Sequence, residues 1–236
     1  MNEPEPFAYC DGDTGLTGWL VRPAGQPRAA VVLFPTIVNV SPAVERRAQL
    51  LADAGFLAMI ADFYGEPVDS FEASRTLADR LRADPHGYRR RLLAAVDALQ
   101  RHAEAAGLPI AVIGYCMGGG AALEVARSGA DVMAAISFHG LLQTPLPAEP
   151  GTVRARLLVC HGDADPMVPR DDVLAFWQEM DRARANWHFH SYSGIRHGFT
   201  DPGSDARGLP AIAYDASADR QSWAAMIALF DEILPD

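Results

Sequence analysis

The chain has 236 residues, enough for one domain with one large hydrophobic core. Hydrophobic residues make up 49% and charged residues 21%, as in an ordinary globular protein, and a formal net charge of -10 argues against a nucleic-acid-binding protein. The N-terminus lacks the basic start and apolar run of a signal peptide, and no apolar stretch is long enough to span a membrane.

Short apolar runs alternate with helical segments along the whole chain. The predicted strands are residues 29–34, 56–61, 110–114, 132–138, 156–160 and 186–192. The predicted helices run from the Ser41 cap to Gly55, over two segments between Ser70 and Ala106 that break near Asp84-Pro85 and end at Gly107, and over residues 121–127, 171–182 and 217–234. This alternation predicts an α/β fold with a mostly parallel sheet covered on both faces. Without a repeat or long linker, residues 1–236 are expected to form a single domain.

A glycine-flanked cysteine follows the strand at 110–114, in the run Gly114-Tyr115-Cys116-Met117-Gly118. This pattern matches a nucleophile elbow with Cys in place of Ser. The helix that follows directs its free N–H groups at the sulfur, which favours the thiolate. The amide of Met117 and the amide of Ile37, in the loop after the first predicted strand, are expected to form the oxyanion hole. Alone, the pattern is equally compatible with a small buried cysteine.

A base and an acid for this cysteine are predicted in the loops after the last two strands. His197 lies in Arg196-His197-Gly198-Phe199, and Asp165 lies in Asp163-Ala164-Asp165-Pro166. The order nucleophile, acid, histidine is the chain order of α/β-hydrolases. Asp163 is the rival acid, although its glycine-flanked position is more typical of a turn residue.

The other cysteines and histidines are assigned structural roles. Cys160 lies inside an apolar run and is interpreted as a core residue, and Cys10 lies in a polar segment. His139 and His161 end predicted strands, and we expect both to be structural. Three cysteines without a secretion signal favour reduced thiols in the cytoplasm.

Taken together, these motifs resemble the dienelactone hydrolase family. The resemblance covers most of the chain, through Ala61-Asp62-Phe63-Tyr64-Gly65, the cysteine elbow, the Asp165 and His197 loops, and a final helix with Trp223. It implies an α/β-hydrolase fold, no metal, no organic cofactor, and hydrolysis of small esters or lactones. It assigns Cys116 as nucleophile, His197 as base and Asp165 as its partner.

The sequence departs from the best-known members of that family at two positions. Thr36 stands where they carry a Glu, and Asp201 lies where they carry a substrate-binding Arg. A direct pair of Cys116 and His197 is therefore favoured. Arg196, Arg75 or Arg82 could replace the missing cation. The predicted substrate-binding side chains are those of Thr36, Tyr64, Tyr115, Arg196 and Phe199.

The sequence thus predicts a cofactor-independent hydrolase of small carboxylic esters or lactones, acting through an acyl-cysteine. A thioesterase or peptidase on the same scaffold, and a binding protein without catalysis, remain alternatives. The expected partner is a small-molecule substrate, with no nucleic acid and no membrane, and the expected state is a monomer or weak homodimer.

Overall fold

The computed structural model describes residues 3–234, which are organised around one eight-stranded sheet. The strands are β1 (Glu5–Asp11), β2 (Thr14–Val21), β3 (Ala29–Phe34), β4 (Phe56–Ile60), β5 (Ile110–Tyr115), β6 (Ala134–Phe138), β7 (Arg156–Gly162) and β8 (Asn186–Tyr192). The helices are α1 (Pro42–Asp53), α2 (Phe71–Arg82), α3 (Pro85–Gln100), α4 (Met117–Arg127), α5 (Arg170–Ala183) and α6 (Ala216–Ile233).

The sheet has the strand order β1-β2-β4-β3-β5-β6-β7-β8. Strands β3 to β8 pair in parallel, and the β1–β2 hairpin joins β4 antiparallel. The central strands β3 and β5 are buried along their whole length, which explains their continuous apolar sequence. The prediction of a mostly parallel sheet is confirmed.

Helices cover both faces of this sheet and bury a separate core on each. Helices α2 to α5 contribute residues such as Leu77, Leu92, Leu123 and Phe176 to one core. Helices α1 and α6 contribute residues such as Leu51 and Phe230 to the other. Because the parallel strands all end at one edge, the loops that follow them meet there, where sites in open α/β sheets form.

Three local predictions need correction. The β1–β2 hairpin was not predicted, because both of its strands mix polar and apolar residues. Helix α3 ends at Gln100 rather than at Gly107, since His102 Nδ1 accepts the Glu104 N–H at 3.3 Å and a short 3-10 turn follows. Helix α4 begins at Met117, directly after the elbow, and not at residue 121.

Neither a membrane span nor a metal cluster is found within the described part of the chain. No helix of residues 3–234 is long and apolar enough to cross a membrane. No group of three or more His, Cys, Asp or Glu side chains in the same residues is arranged to hold a metal ion.

Candidate active site

Cys116 occupies a strained turn between β5 and α4. Its backbone has φ 57° and ψ -118°, in a region that residues with a Cβ rarely adopt. A Cβ at Gly114 would lie 1.9 Å from the Gly118 carbonyl oxygen, and one at Gly118 would lie 2.1 Å from the Phe34 carbonyl oxygen. Both flanking positions therefore require glycine, which is why this turn has the pattern Gly-x-Cys-x-Gly.

The surroundings of the Cys116 thiol favour its ionised form. Burial alone would raise its pKa, but the charge of His197, a hydrogen bond with His197, and the backbone N–H groups of Met117 and Ile37 lower it. The two amides expected in the oxyanion hole thus converge on the sulfur. Met117 is also the first residue of α4, so the positive end of the helix dipole lies beside the thiol.

His197 lies between Cys116 and a buried carboxylate. Its Nδ1 is 2.7 Å from Asp165 Oδ2, and both residues are 3% exposed. Burial would lower the pKa of His197, but the charges and hydrogen bonds of Cys116 and Asp165 raise it to about 10. Its other ring nitrogen, Nε2, is buried, and the Cys116 thiol is the group whose charge and contact raise the pKa of His197 from that side. The directions of these two pKa shifts favour a proton on the imidazole and a negative charge on sulfur.

The rival acid, Asp163, has a different partner. Its carboxylate accepts two hydrogen bonds from Arg170, at 3.0 and 2.7 Å, and this contact lowers its pKa. Asp163 lies in a turn, as predicted, but its carboxylate bonds Arg170 at the start of α5 and not its own backbone. Asp165 is the acid that contacts His197.

His139, which follows β6, contacts the backbone of the elbow. Its Nδ1 accepts the Cys116 N–H at 3.1 Å, and the same N–H bonds the Phe138 carbonyl at 3.0 Å. Its Nε2 lies 2.9 Å from Thr200 Oγ1. Burial and the positive charge of His197 hold the pKa of His139 well below 6.5. His139 is thus neutral, and because Nδ1 accepts, Nε2 carries the hydrogen that Thr200 receives. The sequence marked its place at a strand end but not this contact with the elbow.

A cavity of about 720 Å³ opens above these residues. Cys116, His197 and His139 line it, together with the predicted substrate-binding residues Thr36 and Tyr115. Both hydroxyls are buried and make no hydrogen bond to the described part of the chain.

Charged side chains also reach the cavity. Arg75 and Arg82 of α2 line it, and no described carboxylate forms an ion pair with either. Asp201 lines it too, but its carboxylate is paired with Arg207 at 2.5 Å. The cation that the Asp201 position lacks is therefore available from α2.

Three predicted substrate-binding residues lie away from the cavity surface. The Tyr64 hydroxyl donates to the Ile37 carbonyl at 2.8 Å, behind the oxyanion amides. Phe199 is fully buried against His139, with ring centroids 5.2 Å apart. Arg196 is exposed and donates to the Pro210 carbonyl at 2.9 Å. These three residues lie near the site along the chain, but their side chains are directed away from the cavity surface.

The sheet, the elbow and the convergence of strand-end loops define an α/β-hydrolase. The chain belongs to the dienelactone hydrolase family, whose model matches residues 16–234. A probable 2-oxo-3-(5-oxofuran-2-ylidene)propanoate lactonase of Bradyrhizobium is 28% identical over 211 residues, which cover 83% of each chain. Family membership makes this chain a hydrolase of small lactone- or ester-like substrates.

Solved structures extend this comparison. A dienelactone hydrolase-like promiscuous phosphotriesterase from metagenomic libraries is 35% identical, with a TM-score of 0.92 over 99% of both chains. An acylaminoacyl peptidase of Pyrococcus horikoshii is 17% identical, with a TM-score of 0.71, and this chain covers 42% of it. The second likeness shows the shared fold alone.

Proposed function

We propose that the protein hydrolyses small carboxylic esters or lactones through an acyl-cysteine intermediate, with Cys116 as nucleophile, His197 as acid and base, and Asp165 as its partner. One observation carries the proposal. The pKa of the thiol is lowered while the pKa of the adjacent imidazole is raised, and a carboxylate lies 2.7 Å from that imidazole. Opposite displacements in neighbouring groups are typical of a nucleophile and its base.

In the first half-reaction the Cys116 thiolate attacks the acyl carbon. A carbon–sulfur bond forms, and the carbonyl electron pair moves to oxygen, where the amides of Met117 and Ile37 stabilise it. The intermediate collapses and expels the alkoxide, which takes the proton from the His197 imidazolium. For a lactone, the alkoxide stays attached to the acyl group as the opened ring.

In the second half-reaction water attacks the thioester. His197, now neutral, takes a proton from the water, and Asp165 stabilises the imidazolium that results. The oxyanion forms between the same two amides and collapses, which breaks the carbon–sulfur bond. The acid leaves and the thiolate–imidazolium pair is restored. These steps consume only water, so the chemistry needs no cofactor.

The surrounding side chains act in distinct ways in this scheme. The Thr36 hydroxyl supplies a third donor to the oxyanion, and Tyr115 contacts the substrate from the cavity wall. Tyr64 positions the oxyanion loop through the Ile37 carbonyl. Phe199 and Arg196 support the His197 loop from behind and beside it.

Trapping of the acyl-enzyme tests the proposal. Rapid acid quench during turnover of p-nitrophenyl acetate, followed by peptide mass analysis, should find one acetyl group on the peptide that contains Cys116. Cys116→Ala should lack both the adduct and the activity. An active Cys116→Ala enzyme, or an acetyl group on Cys10 or Cys160, would show that the nucleophile is elsewhere.

A second activity on the same site is hydrolysis of neutral phosphotriesters. The support is the relative named a promiscuous phosphotriesterase, which matches this chain over 99% of its length. The Cys116 thiolate can also attack a phosphorus atom, and the amides of Met117 and Ile37 can stabilise the charge on the phosphoryl oxygen. Release of nitrophenol from paraoxon should be measurable and should disappear in Cys116→Ala. Equal rates in the variant would exclude this activity for the site.

Three further alternatives are separated by simple assays. A thioesterase would prefer an acyl thioester to the oxygen ester of the same acid, and a peptidase would release nitroaniline from acylated amino-acid anilides. A binding protein without catalysis would hydrolyse none of these. We also propose a single domain that works in the cytoplasm as a monomer or weak homodimer. Its three cysteines are free thiols in the structure, which supports a reducing compartment.

A further inference from the structure

The mouth of the cavity carries an unusual concentration of exposed apolar side chains. Among residues 3–234, four large hydrophobic side chains are exposed, and three of them line this one cavity: Phe71 at 54%, Met167 at 41% and Leu209 at 43% exposure. We define these three as the apolar rim. The fourth, Leu174 at 50%, lies on α5 and is not among the lining residues.

The apolar rim is built from segments that are far apart in the sequence. Phe71 is the first residue of α2, whose Ser70 cap accepts the Ala73 N–H at 3.0 Å. Met167 follows β7, and Leu209 lies in the loop before α6. Exposed apolar side chains that converge from three segments on one opening mark a binding surface.

Hydrogen bonds tie two rim positions to the catalytic groups. The Met167 N–H donates to Asp165 Oδ1 at 2.8 Å, so the acid that contacts His197 also fixes the backbone of Met167. The Ile212 N–H donates to the Leu209 carbonyl at 3.0 Å, and Ile212 forms a β-bridge with His197. The backbones of Met167 and Leu209 are thus held in a set position relative to His197.

Apolar residues continue from the rim toward the thiol. Ile37, Val38, Leu141 and Ile212 also line the cavity. We propose that the apolar rim and these residues bind a hydrocarbon arm of the ester substrate, so that the preferred substrates are medium-chain esters rather than the smallest ones. This inference rests on the proposed ester hydrolysis. The arm can belong to the acyl or to the alcohol side of the ester, and two substrate series distinguish them.

The experiment measures kcat/KM along both series. The acyl series runs from p-nitrophenyl acetate to octanoate, and the alcohol series from ethyl to octyl acetate. Full burial of one methylene should raise kcat/KM roughly fourfold. A methylene at the half-exposed rim gains about half of that free energy, which corresponds to a roughly twofold increase in kcat/KM. In one series, we expect the longest ester to exceed the shortest by on the order of tenfold, because only some methylenes reach the rim.

Matched serine variants locate the effect. Phe71→Ser, Met167→Ser and Leu209→Ser should each reduce the long-to-short ratio about twofold, which is one of three equal shares of a roughly tenfold gain. Leu174→Ser, which removes an equally exposed side chain elsewhere, should leave the ratio unchanged. Light scattering on each variant checks the oligomeric mass.

The outcomes separate this inference from the proposed function. The inference would be overturned if kcat/KM did not rise with chain length in either series. It would also be overturned if the rise survived all three rim substitutions, or if it fell equally in Leu174→Ser. A change in oligomeric mass with an unchanged ratio would overturn it too, because the rim would then be a subunit contact. If the wild type hydrolysed no ester, or if hydrolysis persisted in Cys116→Ala, the proposed function would be refuted instead.

Discussion

His139 and His197 lie side by side at the carboxyl edge of the sheet, with ring centroids 5.0 Å apart and exposures of 2% and 3%. Burial acts on both in the same direction, yet the pKa of His139 falls well below 6.5 while that of His197 rises to about 10. The difference comes from their partners. His197 faces the Cys116 thiol and the Asp165 carboxylate, whereas His139 faces a backbone N–H, a hydroxyl and His197 itself.

The comparison shows how two equivalent positions acquire different chemistry. A buried imidazole between two negative groups keeps a proton and can transfer it. A buried imidazole next to that cation stays neutral, and its free nitrogen accepts a hydrogen bond. This difference supports the proposal that His197 transfers the proton, and it predicts that His139 positions the nucleophile.

The largest effect is expected from removing the members of the ion pair. Cys116→Ala and His197→Ala should each lower kcat/KM by at least about a thousandfold, and the double variant should be little worse than either. Single and double variants assayed with the same ester give the comparison. Losses that multiply in the double variant would mean that the residues act in separate steps.

Next in size is the contrast between the two acids. Asp165→Asn should lower kcat by about a hundredfold or more, because the imidazolium loses its partner and the neutral imidazole no longer has a fixed tautomer. Asp163→Asn breaks only the exposed contact with Arg170 and should stay within about threefold of the wild type. The reverse order in steady-state assays would make Asp163 the partner of His197.

A smaller effect is expected at His139. His139→Gly keeps the left-handed backbone (φ 41°) accessible but removes the acceptor, and should lower kcat. The loss should be about tenfold, with little change in KM, because one buried N–H loses part of its bonding. His139→Asn also tolerates this backbone and retains an acceptor oxygen, so it should recover part of kcat. Equal kcat in both variants, with equal melting temperatures, would remove the positioning role.

Features of the fold that depend on local sequence properties could be predicted, and features that depend on tertiary contacts could not. The apolar run of β3 and the alternating pattern of β8 predicted the bounds of both strands without error, and the G-x-C-x-G pattern located the elbow, because periodicity and glycine sterics are local properties. The edge strand β1 escaped prediction, since a half-exposed strand with Pro6 resembles a polar terminal segment.

The same distinction between local and tertiary information applies to the residues of the site. The strand-end positions of Asp165 and His197 follow from topology and were predictable. The contact of His139 with the Cys116 amide depends on ring orientation and tautomer, and the direction of Arg196 depends on the Pro210 carbonyl. Neither has a local sequence signal.

The smallest effect concerns stability toward acid. His161 is buried, none of its ring nitrogens has a hydrogen-bond partner in the described chain, and burial lowers its pKa below 6.5. The unfolded chain therefore takes up the proton first as pH falls through about 6.5, and stability decreases from there toward the lower folded pKa.

Urea unfolding at neutral pH and near pH 5 measures this loss. In His161→Phe the loss should be smaller, by less than about 1 kcal/mol. His188→Phe is the control, because His188 lies exposed on β8. The same pH dependence in wild type and His161→Phe would show that His161 does not contribute.

The central claim is that Cys116 rests as a thiolate stabilised by the His197 imidazolium. The direct test is a pH titration of ultraviolet thiolate absorbance in the wild type, with Cys116→Ser subtracted to remove Cys10. Cys160 contributes little, because burial raises its pKa to about 12. We predict a difference signal with a midpoint below the ordinary thiol value of 9.0, which moves upward in His197→Ala. A midpoint at or above that value, or one unchanged in His197→Ala, would contradict the account.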